Sequence, residues 1–231
     1  MINPLYQSIL SKTSKGEKLF AILIDPDAFQ LSKTTKFLQQ LPKTTTHLFV
    51  GGSTVETGKT EATVSEIKKN SSLPILLFPG DVSQITNKAD GLLFLSLLSG
   101  RNPEYLIEQQ VKSVSKLRKS RLEIISTGYI LIDGGNISAV ERVSKTKPIS
   151  QKNSQEIIDT AIAGELLGSK MIYLEAGSGA KIPIHPEIIS AVKKELKIPL
   201  IVGGGIKTEK QKQDAYQAGA DLVVMGTVYE K

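Results

Sequence analysis

The stretch "LIVGGGIKTEKQKQDAYQAGADLVVMGT", residues 200–227, contains the same pattern twice. An apolar run, Leu200–Val202, ends on three glycines. A polar segment with helical spacing, Glu209–Ala218, then leads to a second apolar run, Leu222–Met225, which also ends on a glycine. Continuous apolar runs are typical of parallel strands that are covered on both faces. The stretch therefore predicts two parallel strands joined by a helix, each strand followed by a glycine-containing turn.

The same alternation of apolar runs and helical patterns extends along the whole chain. The predicted strands are Leu19–Ile24, His47–Val50, Ile75–Phe78, Leu92–Leu95, Leu122–Ile125 with an extension toward Ile132, Met171–Leu174, Leu200–Val202 and Leu222–Met225. The predicted helices are Ser32–Leu41, Glu61–Asn70, Pro103–Lys119, Ser154–Leu167, Pro186–Leu196 and Glu209–Ala218. Eight strands alternating with helices predict an α/β fold, a TIM (β/α)8 barrel formed by a single domain over residues 1–231. An open doubly wound sheet is the alternative.

The positions of the polar loops favour the barrel. Six predicted strands are followed directly by "DPDAF", "GGST", "PGD", "EAGSGA", "GGG" and "MGT". Because the carboxyl ends of barrel strands meet at one rim, we expect these loops to form a single site.

Two segments depart from an ideal barrel. Only "PGDVSQITNKADG" separates Phe78 from Leu92, too little for a full helix with its loops, so we expect a modified barrel with one outer helix missing or degraded. No eighth helix follows Met225 before Lys231. We expect either a truncated sequence or a seam that something else covers, such as a partner subunit.

Composition narrows the class of function. The chain has 231 residues and a formal net charge of +6, which favours anionic partners, but its basic residues are scattered and it has no Trp, which argues against nucleic acid. Cysteine is absent, and no apolar run is long enough to span a bilayer. The N-terminus does not resemble a signal peptide. We therefore expect a cytoplasmic protein.

The glycine-rich turns after the last two strands predict a phosphate site. Barrels commonly hold phosphate with backbone N–H groups of these two loops, and glycine permits the close approach. Gly203, Gly204, Gly205, Gly226 and Thr227 occupy the required positions. The alternative is that these residues only form tight turns.

Carboxylates at two strand ends are candidates for metal binding and for proton transfer. Asp25, fixed by the following proline, could bind Mg²⁺ together with a hydroxyl of Ser53, although Ser53 could equally cap a helix. Asp27 is better explained as the cap of a helix that begins near Phe29. Glu175, followed by glycines, could accept the proton of a substrate hydroxyl, or it could be a structural residue bonded to backbone N–H groups.

Together these motifs resemble the geranylgeranylglyceryl phosphate synthase family, whose bacterial relatives include heptaprenylglyceryl phosphate synthases. The matching segments span nearly the whole chain: "DPD" at 25–27, "GGST" at 51–54, "LLSGRNPEYLI" at 97–107, "TGYILIDGG" at 127–135, "YLEAGSGA" at 173–180, "VGGGI" at 202–206 and "VVMGT" at 223–227.

The resemblance implies a barrel that lacks one outer helix and an enzyme that joins the C3 hydroxyl of sn-glycerol 1-phosphate to a long polyprenyl diphosphate, most simply geranylgeranyl diphosphate. It implies that Asp25 and Ser53 hold Mg²⁺ and that Glu175 acts in catalysis by accepting the hydroxyl proton. Tyr129 could assist catalysis by steadying the developing cation with its ring face, or it could simply be a core residue. The implied glycerol phosphate site comprises Tyr173, Leu174, Glu175, Ala176, Gly177, Ser178, Gly179, Gly203, Gly204, Gly226 and Thr227.

Two positions depart from the family pattern. Heptaprenyl-type relatives have a lysine where this chain has Leu23, and a tryptophan common near the fourth helix is replaced by Tyr105. The first change favours the geranylgeranyl branch, and the second leaves the limit on prenyl length open. Family habit and the unfinished barrel both imply a homo-oligomer. The basic segment Lys207–Lys212 is better explained as solvated surface, with contact to an anionic membrane as the alternative.

Two other functions remain as alternatives from the sequence. One is a phosphate-binding barrel enzyme of another pathway, such as an isomerase or synthase, which would share the glycine-rich turns but would not need Asp25 with Ser53. The other is a barrel that binds a phosphorylated ligand without catalysis, which leaves Asp25 and Glu175 unexplained.

Overall fold

Eight parallel strands close into a barrel in the computed structural model, which describes residues 4–226 together with Val228 and Tyr229. Each strand pairs with the next one along the chain, and the last pairs with the first. The strands are β1 (Leu19–Ile24), β2 (His47–Val50), β3 (Ile75–Leu77), β4 (Gly91–Leu97), β5 (Glu123–Leu131), β6 (Met171–Glu175), β7 (Leu200–Gly203) and β8 (Leu222–Met225). All eight predicted strands are confirmed, and the open sheet is wrong because β1 and β8 are hydrogen-bonded.

Helices surround the strands at most connections. They are α1 (Pro4–Ser14), α2 (Thr34–Gln40), α3 (Lys59–Asn70), α4 (Gln109–Leu117), α5 (Ala139–Ser144), α6 (Ser154–Leu166), α7 (Pro186–Glu195) and α8 (Glu209–Gln217). A 3₁₀ turn, Leu31–Lys33, precedes α2, and a π-helical turn, Glu104–Glu108, precedes α4. The six predicted helices are confirmed within a few residues at each end, whereas α1 and the six-residue α5 were not predicted.

The third crossover lacks its outer helix, as the sequence predicts. Between β3 and β4 the chain forms only the 3₁₀ turn Val82–Gln84. The Asp81 side chain caps this turn by accepting the backbone N–H of Ser83 at 2.7 Å. The outer face of the barrel beside β4 is therefore covered less than elsewhere.

The core has two layers, because successive strand residues point to opposite faces of the barrel. Leu19 and Ala21 of β1 point into the lumen and pack with Phe49 and Ile201. Phe20 and Ile22 alternate with them and join the layer between barrel and helices. Both layers consist almost entirely of buried aliphatic and aromatic side chains.

Helix α1 lies across the amino-terminal mouth of the barrel. The carboxylate of Glu123, at the start of β5, accepts the backbone N–H groups of Leu5 and Tyr6 at 2.7 Å each. The Tyr6 hydroxyl donates to the carbonyl of Lys170 at 2.9 Å. These bonds satisfy first-turn donors that a helix cannot satisfy by itself and place a negative charge at the positive end of its dipole.

No helix among the described residues combines the length and the apolar composition that crossing a membrane requires.

Replacing Glu123 with Ala is expected to release α1 without opening the barrel. The change removes two charge-assisted hydrogen bonds, so the free energy of unfolding should fall by about 1–2 kcal/mol. Hydrogen exchange should accelerate in residues 4–14 and remain slow in β5 and β6. Equal acceleration in the helix and in both strands would contradict this role of Glu123.

Candidate active site

A polar cavity lies at the carboxyl-terminal mouth of the barrel. The loops after β1, β2, β6, β7 and β8 all contribute to its wall. Among the lining residues are Asp25, Ser53, Glu175, Gly204 and Gly226. The structure thus brings together at one rim the carboxylates and glycine-rich turns that the sequence analysis singled out.

Glu175 is the last residue of β6, and its side chain is 5% exposed. One carboxylate oxygen, Oε1, accepts the backbone N–H of Gly177 at 2.8 Å. The glycines at the end of the neighbouring strand β7 are required because a side chain there would clash with the carboxylate. A β-carbon on Gly203 would lie 2.9 Å from Glu175 Oε2, and one on Gly204, whose φ is +79°, would overlap Oε1. The glycine-rich turn after β7 therefore lets the backbone reach the carboxylate.

Burial raises the pKa of Glu175 from 4.5 to about 7, because the ionised form loses hydration at this position. The neighbouring Tyr173 hydroxyl and the Gly177 N–H favour the carboxylate and oppose part of the rise. No salt bridge within the described part of the chain joins Glu175 to a cation. A carboxyl group with a pKa near neutrality can both accept and release a proton at physiological pH.

The Tyr173 hydroxyl is buried close enough to Glu175 to favour its carboxylate form, but it completes a well-aligned hydrogen bond with no described residue. Burial and the nearby Glu175 raise its pKa well above the ordinary value, so the group stays protonated and able to donate. A buried donor of this kind is costly unless it is paired. Its position in the cavity wall makes it available to a bound hydroxyl or phosphate oxygen.

Asp25 follows β1. One of its carboxylate oxygens accepts a backbone hydrogen bond, and the other borders the β2 loop. Its Oδ1 accepts the backbone N–H of Asp27 at 2.9 Å. A β-carbon built on Gly52 would lie 3.6 Å from Oδ2, so that oxygen borders the loop containing Ser53. The described residues contain no cluster of three metal-ligating side chains. One carboxylate and one hydroxyl suit Mg²⁺ only when substrate phosphate and water supply its other ligands.

The helix-capping roles considered for Asp27 and Ser53 are wrong. The first helical turn after β1 begins at Leu31, and Asp27 instead accepts the N–H of Glu56 at 3.2 Å and pairs with Lys59 at 3.3 Å. Helix α3 begins at Lys59 after a glycine cap, so Ser53 does not cap it. Asp27 therefore joins the β1 and β2 loops, and the Ser53 side chain lines the cavity.

An apolar groove continues from the cavity along β4, between the short third crossover and α4. Ser53, Phe78, Tyr129 and Val140 belong to both the cavity and the groove. Most other lining side chains are apolar, and they include Val82, Ile85, Leu92, Phe94, Leu95, Leu97 and Val143. The groove lies where a complete barrel would have its third outer helix.

Three aromatic rings stand at the junction of cavity and groove. The ring centroids of Phe78 and Tyr173 are 5.4 Å apart, as are those of Tyr129 and Tyr173, and Phe78 lies 5.9 Å from Tyr129. Tyr129 is buried, and burial raises its pKa well above the ordinary value. The junction is therefore uncharged, with π-systems that can stabilise a nearby cation.

The remaining predicted site residues lie in different places. Ser178 and Gly179 line the cavity, whereas the Leu174 and Ala176 side chains pack in the layer between barrel and helices. Any contact of those two with a ligand must come from the backbone. Thr227 lies outside the described residues.

Sequence reasoning did not identify Phe78 or Val140 as part of the site. The position of Phe78 at a strand end was the available signal, while nothing in the sequence marks Val140.

Comparison with known proteins agrees with this geometry. Residues 12–231 match the model of the PcrB family. The chain is 55% identical, over 98% of its length and 97% of the relative's, to a geranylgeranylglyceryl phosphate synthase of Zunongwangia profunda. It is 39% identical, over 97% of its length and 92% of the relative's, to one of Methanosphaera stadtmanae.

Among solved structures, the chain is similar to the (S)-3-O-geranylgeranylglyceryl phosphate synthase of Thermoplasma acidophilum in complex with its substrate sn-glycerol-1-phosphate. The TM-score is 0.89 and the identity 33%, over 98% of this chain and 91% of the other.

Replacing Glu175 with Gln is expected to stabilise the folded protein at alkaline pH. Because the folded pKa is raised, the ionised carboxylate destabilises the fold; the penalty is absent below pH 4.5, grows between pH 4.5 and 7, and is complete above. The variant should gain about 3 kcal/mol of unfolding free energy at pH 8 and nothing at pH 4. Urea denaturation at both pH values measures this. A gain independent of pH would contradict the raised pKa.

Proposed function

Because the chain belongs to the PcrB family, we propose that the rim residues described above carry out its prenyl transfer. The protein is a prenyltransferase of the geranylgeranylglyceryl phosphate synthase type: it joins the C3 hydroxyl of sn-glycerol 1-phosphate to a polyprenyl diphosphate, forming an ether and releasing diphosphate. The observation that supports the site assignment is the continuity of a polar cavity with an apolar groove. One substrate is small and anionic, and the other has a long apolar chain.

We assign sn-glycerol 1-phosphate to the side of the cavity formed by β6, β7 and β8. Backbone N–H groups of the turns at Gly204 and Gly226 are suited to the phosphate, as in other barrels. Glu175 lies in the cavity wall against the Gly204 turn, where it can orient the glycerol hydroxyl and accept its proton. The Tyr173 hydroxyl can donate to the same ligand. Ser178 and Gly179 complete this side.

Asp25 and Ser53 are assigned to Mg²⁺ bound with the diphosphate. The free oxygen of Asp25 and the Ser53 hydroxyl fit a hard cation that takes its remaining ligands from phosphate and water. When bound, the cation neutralises negative charge on the leaving diphosphate. The carboxylate of Asp25 supplies the fixed charge that selects this position.

The prenyl chain is assigned to the apolar groove beside β4. With the diphosphate near Ser53 and the chain in the groove, the reacting carbon would lie close to Tyr129 and Phe78, which border both spaces. Their ring faces can stabilise the cationic character that develops as diphosphate departs. Tyr105 lines the groove, and its hydroxyl donates to the carbonyl of Val143 at 3.3 Å. We propose that this contact limits chain length and that geranylgeranyl diphosphate is the preferred donor.

Assembly and location are also proposals. Ile107 of the π-helical turn and Val111 and Val114 of α4 form an exposed apolar stripe at helical spacing, which supports a homo-oligomer. A cytoplasmic enzyme could collect its lipid substrate from an anionic membrane face through the exposed Lys207 and Lys210. Lys212 of the same segment is buried and pairs with Glu209 at 2.8 Å, so it does not contribute.

The direct test supplies the purified protein with sn-glycerol 1-phosphate and prenyl diphosphates of several lengths, with and without Mg²⁺, and measures ether product. We expect Mg²⁺-dependent product, greatest with the geranylgeranyl donor. Absence of product with every donor would contradict the function.

Asp25→Ala tests the metal assignment, with Asp27→Ala as the matched control. Asp25→Ala should lower the activity more than removal of a residue that merely orients a metal ligand, which costs about 10–100-fold. Asp27 pairs with Lys59 at the protein surface, so its loss should change the rate only a few-fold. Equal activity of the two variants would refute the role of Asp25.

A further inference from the structure

Gln84 lies in the 3₁₀ turn that replaces the missing outer helix, and it is only 2% exposed. Its side-chain amide makes two opposed hydrogen bonds to one backbone residue, Gly52. Nε2 donates to the Gly52 carbonyl at 2.8 Å, and Oε1 accepts the Gly52 N–H at 3.2 Å. Among side chains in their ordinary ionisation state at neutral pH, the amide of Gln or Asn is the one that offers an N–H donor beside a carbonyl acceptor for such a pair.

Gly52 lies next to both residues assigned to the metal. It precedes Ser53, and it borders the free carboxylate oxygen of Asp25. The same loop is contacted from a second direction by Gly80, where a β-carbon would lie 2.5 Å from the carbonyl oxygens of both Gly52 and Ser53. The third crossover therefore holds this loop both by hydrogen bonds and by close backbone packing.

The 3₁₀ turn is itself tied to α4 on the other side of the groove. The Val82 N–H donates to Gln109 Oε1 at 3.2 Å, and Lys116 Nζ donates to the Val82 carbonyl at 2.9 Å. A continuous set of hydrogen bonds thus connects the groove wall to the loop that contains Ser53. An apolar side chain at position 84 could fill the space but could not fix the orientation of the Gly52 peptide.

We propose that Gln84 is a positioning residue that sets the Gly52–Ser53 peptide so that Ser53 and Asp25 together engage the diphosphate end of the prenyl substrate. This inference rests on the proposed function. In a complete barrel an outer helix would support this region, and here the Gln84 amide and the close packing of Gly80 hold the loop. Gln84 acts through the loop and does not itself line the cavity or the groove.

The test uses Gln84→Met, which keeps the length of the side chain and removes both hydrogen bonds. We expect binding of Mg²⁺ with inorganic diphosphate, measured by calorimetry, to weaken by about 10–100-fold. Binding of sn-glycerol 1-phosphate should change less than about 2-fold, because β6, β7 and β8 hold it. In turnover, KM for the prenyl diphosphate should rise in parallel.

Thr86→Val is the matched control within the same crossover. Thr86 is buried and donates to Glu61 of α3 at 3.0 Å, away from the Gly52 loop, so this variant should bind both ligands normally. Gly80→Ala displaces the loop from the other side and should reproduce the selective loss. If Gln84→Met does not fold, Gln84→Glu is measured in its place: its carboxylate keeps an acceptor for the Gly52 N–H but loses the donor to the Gly52 carbonyl, so the same selective loss of diphosphate binding is expected.

The positioning role would be overturned if Gln84→Met bound Mg²⁺ with diphosphate as tightly as the wild-type protein does. It would also be overturned if Gln84→Met and Gly80→Ala lost affinity equally for diphosphate and for sn-glycerol 1-phosphate. If the wild-type protein binds sn-glycerol 1-phosphate but not Mg²⁺ with diphosphate, the proposed metal site fails and this inference fails with it.

Discussion

The site depends on one buried carboxylate that no cation compensates within the described residues. Glu175 sits at the end of a barrel strand with 5% exposure, and its pKa is raised to about 7 by burial. Burying this carboxylate destabilises the fold, and the surrounding residues accommodate it. Gly203 and Gly204 are small enough for the β7 backbone to approach the carboxylate, and the Gly177 N–H donates one hydrogen bond to it. The proposed role of Glu175 as proton acceptor accounts for a carboxylate that destabilises the fold.

The absent outer helix has two consequences for the same mouth. It opens the apolar groove along β4, and it leaves the β2 loop without the usual support. The short turn that remains supplies both the groove wall, through Val82 and Ile85, and the Gln84 contact with Gly52. The groove proposed for the prenyl chain and the placement of the polar loop thus depend on the same few residues.

Sequence alone predicted the barrel and most of the rim, because apolar runs and strand-end polar residues are local signals. It missed α1, whose anchor Glu123 lies 118 residues from Leu5 along the chain. It also misassigned Asp27 as a helix cap, since its partners lie beyond β2: Glu56 in the β2 loop and Lys59 at the start of α3. The roles of Phe78 and Gln84 depend on distances across the barrel mouth, and no pattern within their own segments indicates them.

The most direct test of the central claim is the titration of Glu175 itself. Carbon-13 NMR of carboxyl groups in the ligand-free protein, with Glu175→Gln used to assign the resonance, measures its pKa. A midpoint near pH 7 is expected. A midpoint at the ordinary value for glutamate would show that the carboxylate is effectively solvated, and the account of the site given above would then be wrong.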